Sequence, residues 1–368
     1  MPILLAGAAA LALAVGIGRF AYTPPLPAMQ EAAGFGAATA GWIAGWNYLG
    51  YLLGALAAAL VAARDSRTLV LLASVAASVL TTGAMGMTES VAAWCALRFV
   101  SGLASAGVLV ISTAVVMEAL VRASRPHLVG VHFSGVGAGI AFSGLIVALG
   151  GYWSSLAAAS AVLALFTLPL GMRQAGPASG MPQGAKEKFS GSLLIASYFL
   201  EGLGYVVTGT FLVAIAKEMP GIGGAAELLW IAVGLAAAPS ALLFSRAAAR
   251  WGAPTTLIAA HLVQAAGIVL PVFFDSLWVA LLAAVCFGGT FMGITAVAVG
   301  FGGRISSHPA RMIGLLTAAF GLGQMIGPVI AGWLAERQGG FNGSLLLAAG
   351  AVALGAALLA AGRATSRA

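Results

Sequence analysis

Apolar runs of about twenty residues, the length a helix needs to cross a bilayer, follow one another along the whole chain with short polar punctuation between them. No stretch alternates with the two-residue period of a half-buried strand. Hydropathy and punctuation place spans near 4–26, 39–62, 68–87, 90–120, 128–149, 152–171, 192–216, 226–249, 255–274, 277–302, 311–335 and 342–362. The pattern predicts an all-α integral membrane protein of about twelve transmembrane helices and argues against a barrel. The first run has no basic segment before it and no small-residue cleavage site after it, so it is expected to be a retained helix.

The longest polar stretch, "RQAGPASGMPQGAKEKFSGS" (173–192), is rich in Gly, Pro and Ser and falls near the midpoint. It predicts a linker between two six-helix halves, 1–171 and 192–368, with 172–191 between them. The halves repeat. "GIGRFAYT" at 16 aligns with "GLGYVVTG" at 202, an offset of 186 residues. The basic turn "AARDSRTLVLLA" aligns with "AARWGAPTTLIA" at the same offset, 64 against 250. "GVHFSGVGAGIAFSGL" aligns with "GLLTAAFGLGQMIGPV" at an offset of 184. Two parallel halves related by an axis along the membrane normal place a binding site at the midplane between them.

Composition sharpens this. Of 368 residues 61% are hydrophobic and only 7% charged, against roughly a quarter charged in a soluble domain; mean hydropathy is +1.03. The net charge of +7 is unevenly placed. The loops on the side of the termini hold Arg64, Arg67, Arg122, Arg125, Arg173, Lys186, Lys188, Arg246, Arg250, Arg304, Arg311, Arg363 and Arg367; the opposite loops hold only Lys217 and Arg337. Thirteen against two predicts cytoplasmic termini in a plasma (inner) membrane. The basic residues are scattered over short loops without interleaved aromatics, so no nucleic-acid partner is expected. Cys95 and Cys286, both in apolar runs, do not suggest a disulfide framework.

Enzyme signatures are missing. "GIGRFA" fits a dinucleotide fingerprint but lies inside a membrane run with no strand before it. The chain has no Walker A lysine, no His-Glu-x-x-His and no Gly-x-Ser-x-Gly. His127, His132, His261 and His308 form no ligand-spaced pair and are expected to be packed or interfacial residues. Neither enzymatic activity nor a cofactor or metal is expected.

Several motifs carry a resemblance. "ARDSRTLV" resembles a shortened form of the loop between helices 2 and 3 in the major facilitator superfamily. "LRFVSGLASAG" is similar to the Arg-x-x-x-Gly pattern of its proton-coupled members, here Arg98 and Gly102. "GLGQMIGP" on helix 11 is similar to the antiporter motif of helix 5, whereas helix 5 itself, "GAGIAFSG", has no proline. "GIGRFAYTPPLP" with "YFLEGLGYVVTGTFL" resembles the YbfB/YjiJ-like group of that superfamily. The resemblance implies the major facilitator fold, alternating access, helices 1 and 7 lining a central cavity, and a coupling role for Arg98.

Within this frame Arg19 stands out. An arginine at depth costs roughly 2.5–3.5 kcal/mol on insertion scales, so it needs an anion, from the protein or from a substrate. Glu201 is the expected protein partner, and the prolines at 24, 25 and 27 are expected to break the helix just beyond Arg19. Candidate substrate contacts are Arg19, Tyr22, Asn47, Tyr51, Glu201, Tyr205, Thr208 and Gln324, although each uncharged one alone is more often an interhelical hydrogen bond. Glu201 and Arg98 are candidates for proton coupling. Arg64, Asp65, Arg67, Glu118 and Arg122 are candidates for a cytoplasmic gate, with Asp65 and Glu118 expected to pair with basic residues across the halves in the outward-open state. The expected function is secondary active transport of a small organic solute, anionic if Arg19 binds it, coupled to protons, by a monomer in the lipid bilayer. Efflux of amphipathic or aromatic compounds is the alternative of the same class, and a non-transporting sensor or scaffold that of another.

Overall fold

The computed structural model describes residues 2–61, 66–171 and 187–365. Arg64, Asp65 and most of the linker, with Arg173 and Lys186, lie outside the described residues. The described chain is helical: α1 (Pro2–Leu11), α2 (Leu26–Ala33), α3 (Ala37–Val61), α4 (Arg67–Ala84), α5 (Val91–Arg122), α6 (Val129–Ala148), α7 (Trp153–Leu165), α8 (Leu168–Gly171), α9 (Gly191–Glu218), α10 (Ala226–Trp251), α11 (Ala253–Phe273), α12 (Leu277–Ile305), α13 (Pro309–Gln338) and α14 (Asn342–Thr365). Nine segments among the described residues are long and apolar enough to cross a membrane, with Pro2–Ile17 and Trp153–Leu165 shorter. Together with the 25-residue α3 they make twelve spans in two six-helix bundles.

Two spans differ from the sequence pattern. The first is not continuous: α1 passes into a π-helix (Ala12–Ile17), then into turns, and α2 restarts at Leu26. Pro24 and Pro25 have no N–H to donate, and their rings clash with carbonyls a turn earlier. The sixth span ends at Leu165 and resumes only as the short α8, because Pro169 cannot continue the ladder.

Within and between the halves, helices approach through glycines, as expected where lipid gives them no hydrophobic reason to associate. In the N-terminal half Gly102 leaves no room for a Cβ against the Asn47 carbonyl, fastening α5 to α3. Between the halves there are two seams. Gly137 of α6 and Gly234 of α10 lie against each other's backbone, while Gly41 of α3 meets the backbone of Pro328 on α13 and Gly332 of α13 that of Ala37 on α3. The second seam reaches the side of the membrane opposite the termini, where the Ala38 N–H donates to the Glu336 carboxylate at 2.9 Å. Close by, the Thr23 hydroxyl donates to the Gly209 carbonyl. Phe20 meets Phe291 edge-on across the halves, centroids 5.9 Å apart.

Candidate functional site

The break in the first span creates the site. The π-turn ends with Gly18 N–H donating to Leu13 and Phe20 N–H donating to Val15, each five residues back. Such a turn re-aims the residues that follow it. The carbonyls of Gly18 and Arg19 are taken up by α5: Arg98 donates to both, at 2.9 and 2.6 Å, and the Ser101 hydroxyl donates to Gly18 at 2.8 Å. Asn47 in turn donates to the Arg98 carbonyl at 2.9 Å, and Tyr22 donates to the Ala40 carbonyl at 3.2 Å. Tyr22 also places its ring 5.1 Å from the Arg98 guanidinium. Arg98, Asn47 and Tyr22 thus hold the broken helix in place.

Arg19 is buried, yet no carboxylate lies within ion-pair distance of it among the described residues, and its Nε and Nη2 have no hydrogen-bond partner. Aromatic faces surround it instead. Its guanidinium carbon is 3.8 Å from the Tyr51 ring centroid, 5.0 Å from Tyr48 and 5.2 Å from Phe20. Tyr198 and Tyr205 of α9 are within its electrostatic reach. These two tyrosines belong to a set of near-parallel rings supplied by the C-terminal half. Tyr198 stacks on Phe320 at 4.4 Å and 14°, and Tyr205 lies parallel to Phe291 and Phe320 at 5.7 and 5.4 Å. Gln324 donates to the Tyr205 hydroxyl. Thr208, one turn further along α9, is buried with its hydroxyl unpaired.

Of the expected solute contacts, Arg19, Tyr51, Tyr205 and Gln324 therefore converge, while Tyr22 and Asn47 serve the scaffold. Glu201 departs from expectation. It is not the partner of Arg19 in this conformation; its Oε2 lies 3.8 Å from His261 Nε2 of α11. Gln264 of α11 lies alongside the same carboxylate. The physical reason is the helical turn: Glu201 projects from α9 between Tyr198 and Ser197, toward the α11 side rather than toward α3.

Of the gate candidates, Arg67, Glu118 and Arg122 are among the described residues and lie together. Glu118 accepts from Arg67 at 2.8 Å and lies 3.6 Å from Arg122, all within the N-terminal half. Arg304 pairs with Glu187 at the end of the linker, at 2.8 Å. Pairing of Glu118 across the halves is expected of the outward-open state; in this structure the network ties α4 to α5.

Sequence reasoning missed Tyr48, Tyr198, Phe291 and Phe320 because an aromatic in an apolar run looks like ordinary packing. It missed His261 because the partner lies 60 positions away on another helix. The repeat held a usable signal, since "YFLEGLGY" puts Tyr198 and Tyr205 seven residues apart on one face of α9.

No curated protein sequence matches the chain. Its fold is similar over 98% of its length to 99% of a variant of the nucleoside transporter NupG, with TM-score 0.77 and 16% identity. It is similar over 97% to 95% of a D-xylose–proton symporter, with TM-score 0.74 and 14% identity. It is also similar over 99% to 96% of a bacterial homolog to the human lysosomal transporter Spinster, in an inward-facing and occupied conformation, with TM-score 0.73 and 17% identity. Residues 11–360 match the family model described as an uncharacterised MFS-type transporter YbfB, and the chain belongs to that family.

Proposed function

We propose that the protein is a proton-coupled secondary transporter of a small organic anion, with Arg19 as the anchor for the anionic group. The observation that carries this reading is the buried, carboxylate-free guanidinium of Arg19, with two unpaired nitrogens, at the junction of the two halves. The flanking rings offset part of the missing hydration, since a desolvated cation over an aromatic face gains ~2 kcal/mol. They supply no hydrogen-bond acceptor in the guanidinium plane, and a carboxylate or phosphate would. The near-parallel rings of Tyr198, Tyr205, Phe291 and Phe320 favour a solute with a planar apolar part; efflux of amphipathic aromatic compounds draws on the same rings and is the second reading. Glu201 is the group we assign to proton coupling. With cytoplasmic termini, inferred from the basic loops, the contacts Thr23–Gly209 and Ala38–Glu336 tie the halves toward the external side.

The test is melting of the purified protein with small carboxylates, phosphate esters and their uncharged analogues. A ligand at a hundred times its Kd adds ~2.7 kcal/mol to the folded state. An anionic ligand should raise the melting temperature in wild type, do so weakly in Arg19→Lys, which lacks the planar fork, and not at all in Arg19→Ala. A shift that survives Arg19→Ala undamaged would remove Arg19 from the site. In liposomes Glu201→Gln should retain solute exchange and lose accumulation driven by a pH gradient.

A further inference from the structure

His261 is buried in α11, and its imidazole faces α9 and α14. A Cβ on Gly355 of α14 would lie 3.2 Å from its Cδ2 and 3.3 Å from the Ser197 carbonyl of α9, so three helices close around the ring. His261 Nδ1 is 2.8 Å from the Leu257 carbonyl one turn earlier. A carbonyl only accepts, so Nδ1 must carry a hydrogen. In the neutral ring Nε2 is then a bare acceptor, and it faces Glu201 Oε2 at 3.8 Å and the Ser197 hydroxyl at 3.5 Å. A bare nitrogen opposite an ionised carboxylate, both in an apolar interior, sets two acceptors against each other with no donor between them except that hydroxyl. A proton on both groups would leave an imidazolium in the apolar interior with no counter-charge. One proton satisfies both: a carboxylic acid aimed at Nε2, or an imidazolium aimed at the carboxylate.

We propose that Glu201 and His261 together hold one exchangeable proton in a site separate from Arg19, between α9 and α11. The groups facing the pair are few. From α9 they are Ser197 and the Tyr198 phenol, which feels both Glu201 and Arg19. From α11 it is Gln264, whose amide atoms have no hydrogen-bond partner. From α14 the near residue is Gly355, without a side chain. From α10, α12 and α13 no charged side chain comes within ion-pair distance of either member among the described residues. The proton is taken from water on one side of the membrane and returned on the other; only one O–H or N–H bond forms and breaks. The two sites share α9, which presents Tyr205 toward Arg19 and Glu201 toward His261, with the Tyr198 phenol in reach of both. Movement of α9 when a solute seats against the tyrosines is therefore felt directly by the proton site.

This inference deepens the proton-coupled reading, and its test needs no solute. The full-length protein, labelled with nitrogen-15 at histidine and reconstituted in liposomes, is titrated with pH as the only ligand. Nitrogen signals and the infrared carboxylic-acid stretch are followed together. The expected result is an Nδ1–H tautomer for His261, with its Nε2 signal changing over the same pH interval as a single acid band. Both changes should be absent in Glu201→Gln, whose amide can donate permanently to Nε2 and preserve the packing. His261→Gln should alter the frequency and the midpoint of the acid band. An Nε2–H tautomer in wild type, or an acid band that titrates identically in His261→Gln, would overturn the shared proton. The wild-type tautomer is informative even where a variant fails to fold. Failure of anion binding at Arg19 would leave this result untouched, so the two readings fail separately.

Discussion

Tyr51 is the ring nearest to Arg19, with its centroid 3.8 Å from the guanidinium carbon, and this contact separates two roles a tyrosine can have. If its face stabilises the buried cation, Tyr51→Phe should be close to neutral, because phenylalanine presents a similar face. Tyr51→Leu should then destabilise the solute-free protein by ~1–2 kcal/mol, the value of a largely desolvated cation–ring contact. Melting of both variants in detergent distinguishes the roles: equal losses would assign the effect to the hydroxyl. The existence of a special residue at 19 could be read directly from the sequence, because an arginine inside an apolar run needs an explanation on energetic grounds alone. Its partner could not. Glu201 was the sole acidic residue deep in the seventh apolar run, so charge matching selected it. The side-chain direction that sends it to His261 depends on how α9 is rotated against α11, and apolar composition on all sides of α9 leaves that rotation unspecified.

The first span makes the corresponding point for elements. The three prolines announced a break, and the break is there. What the prolines could not indicate is where the displaced carbonyls go. They are met by Arg98 and Ser101, three residues apart on α5, which donate to Gly18 and Arg19. The "LRFVSG" segment therefore acts, in this conformation, as a clamp on the helix break. Removing donors from buried carbonyls costs ~1–3 kcal/mol for each one left unpaired. Arg98→Met should accordingly lower the melting temperature more than Ser101→Ala, since Gly18 keeps one donor in the serine variant while Arg19 loses its only one in the methionine variant. The double variant should lose more than the sum of the two, because only then does the Gly18 carbonyl lose both of its donors. Fully additive losses would mean that the two residues act at independent places. Helix boundaries, by contrast, were readable to within a few residues, because long apolar runs ended by charges and glycines leave little freedom.

At the scale of the whole molecule the helix seam between the halves reaches the side of the termini, where Gly130 meets Leu242, but the cross-half hydrogen bonds among the described residues lie on the other side. On the side away from the termini, Ala38 and Glu336 join α3 to α13, and Thr23 joins the first-span break to α9. On the side of the termini the ion pair Arg67–Glu118 stays within the N-terminal half, and Arg304–Glu187 joins the C-terminal half to the linker. An alternating-access cycle requires the far-side contacts to break, so each stabilises the present state relative to the one open on the far side. Glu336 accepts from a backbone N–H in the other half, and Glu336→Ala removes that contact while leaving the helix intact. The expected result is a shift of population toward far-side opening. A cysteine at Ala40, buried beside Tyr22 in this state, would report it once Cys95 and Cys286 are replaced by serine. Its rate of reaction with a membrane-impermeant maleimide should rise when Glu336→Ala is added, and rise again with Thr23→Val, which removes the second tie. The same order should appear in solute exchange if opening of this side limits the cycle. A labelling rate unchanged by both substitutions would place the barrier elsewhere, in the Trp230–Ser143 hydrogen bond between α10 and α6 or in the glycine seam where Gly41 and Gly332 bring α3 and α13 into backbone contact. That seam offers the harder obstacle to opening, since helices this close must slide or separate as whole bodies, whereas the two hydrogen bonds can be exchanged for water one at a time.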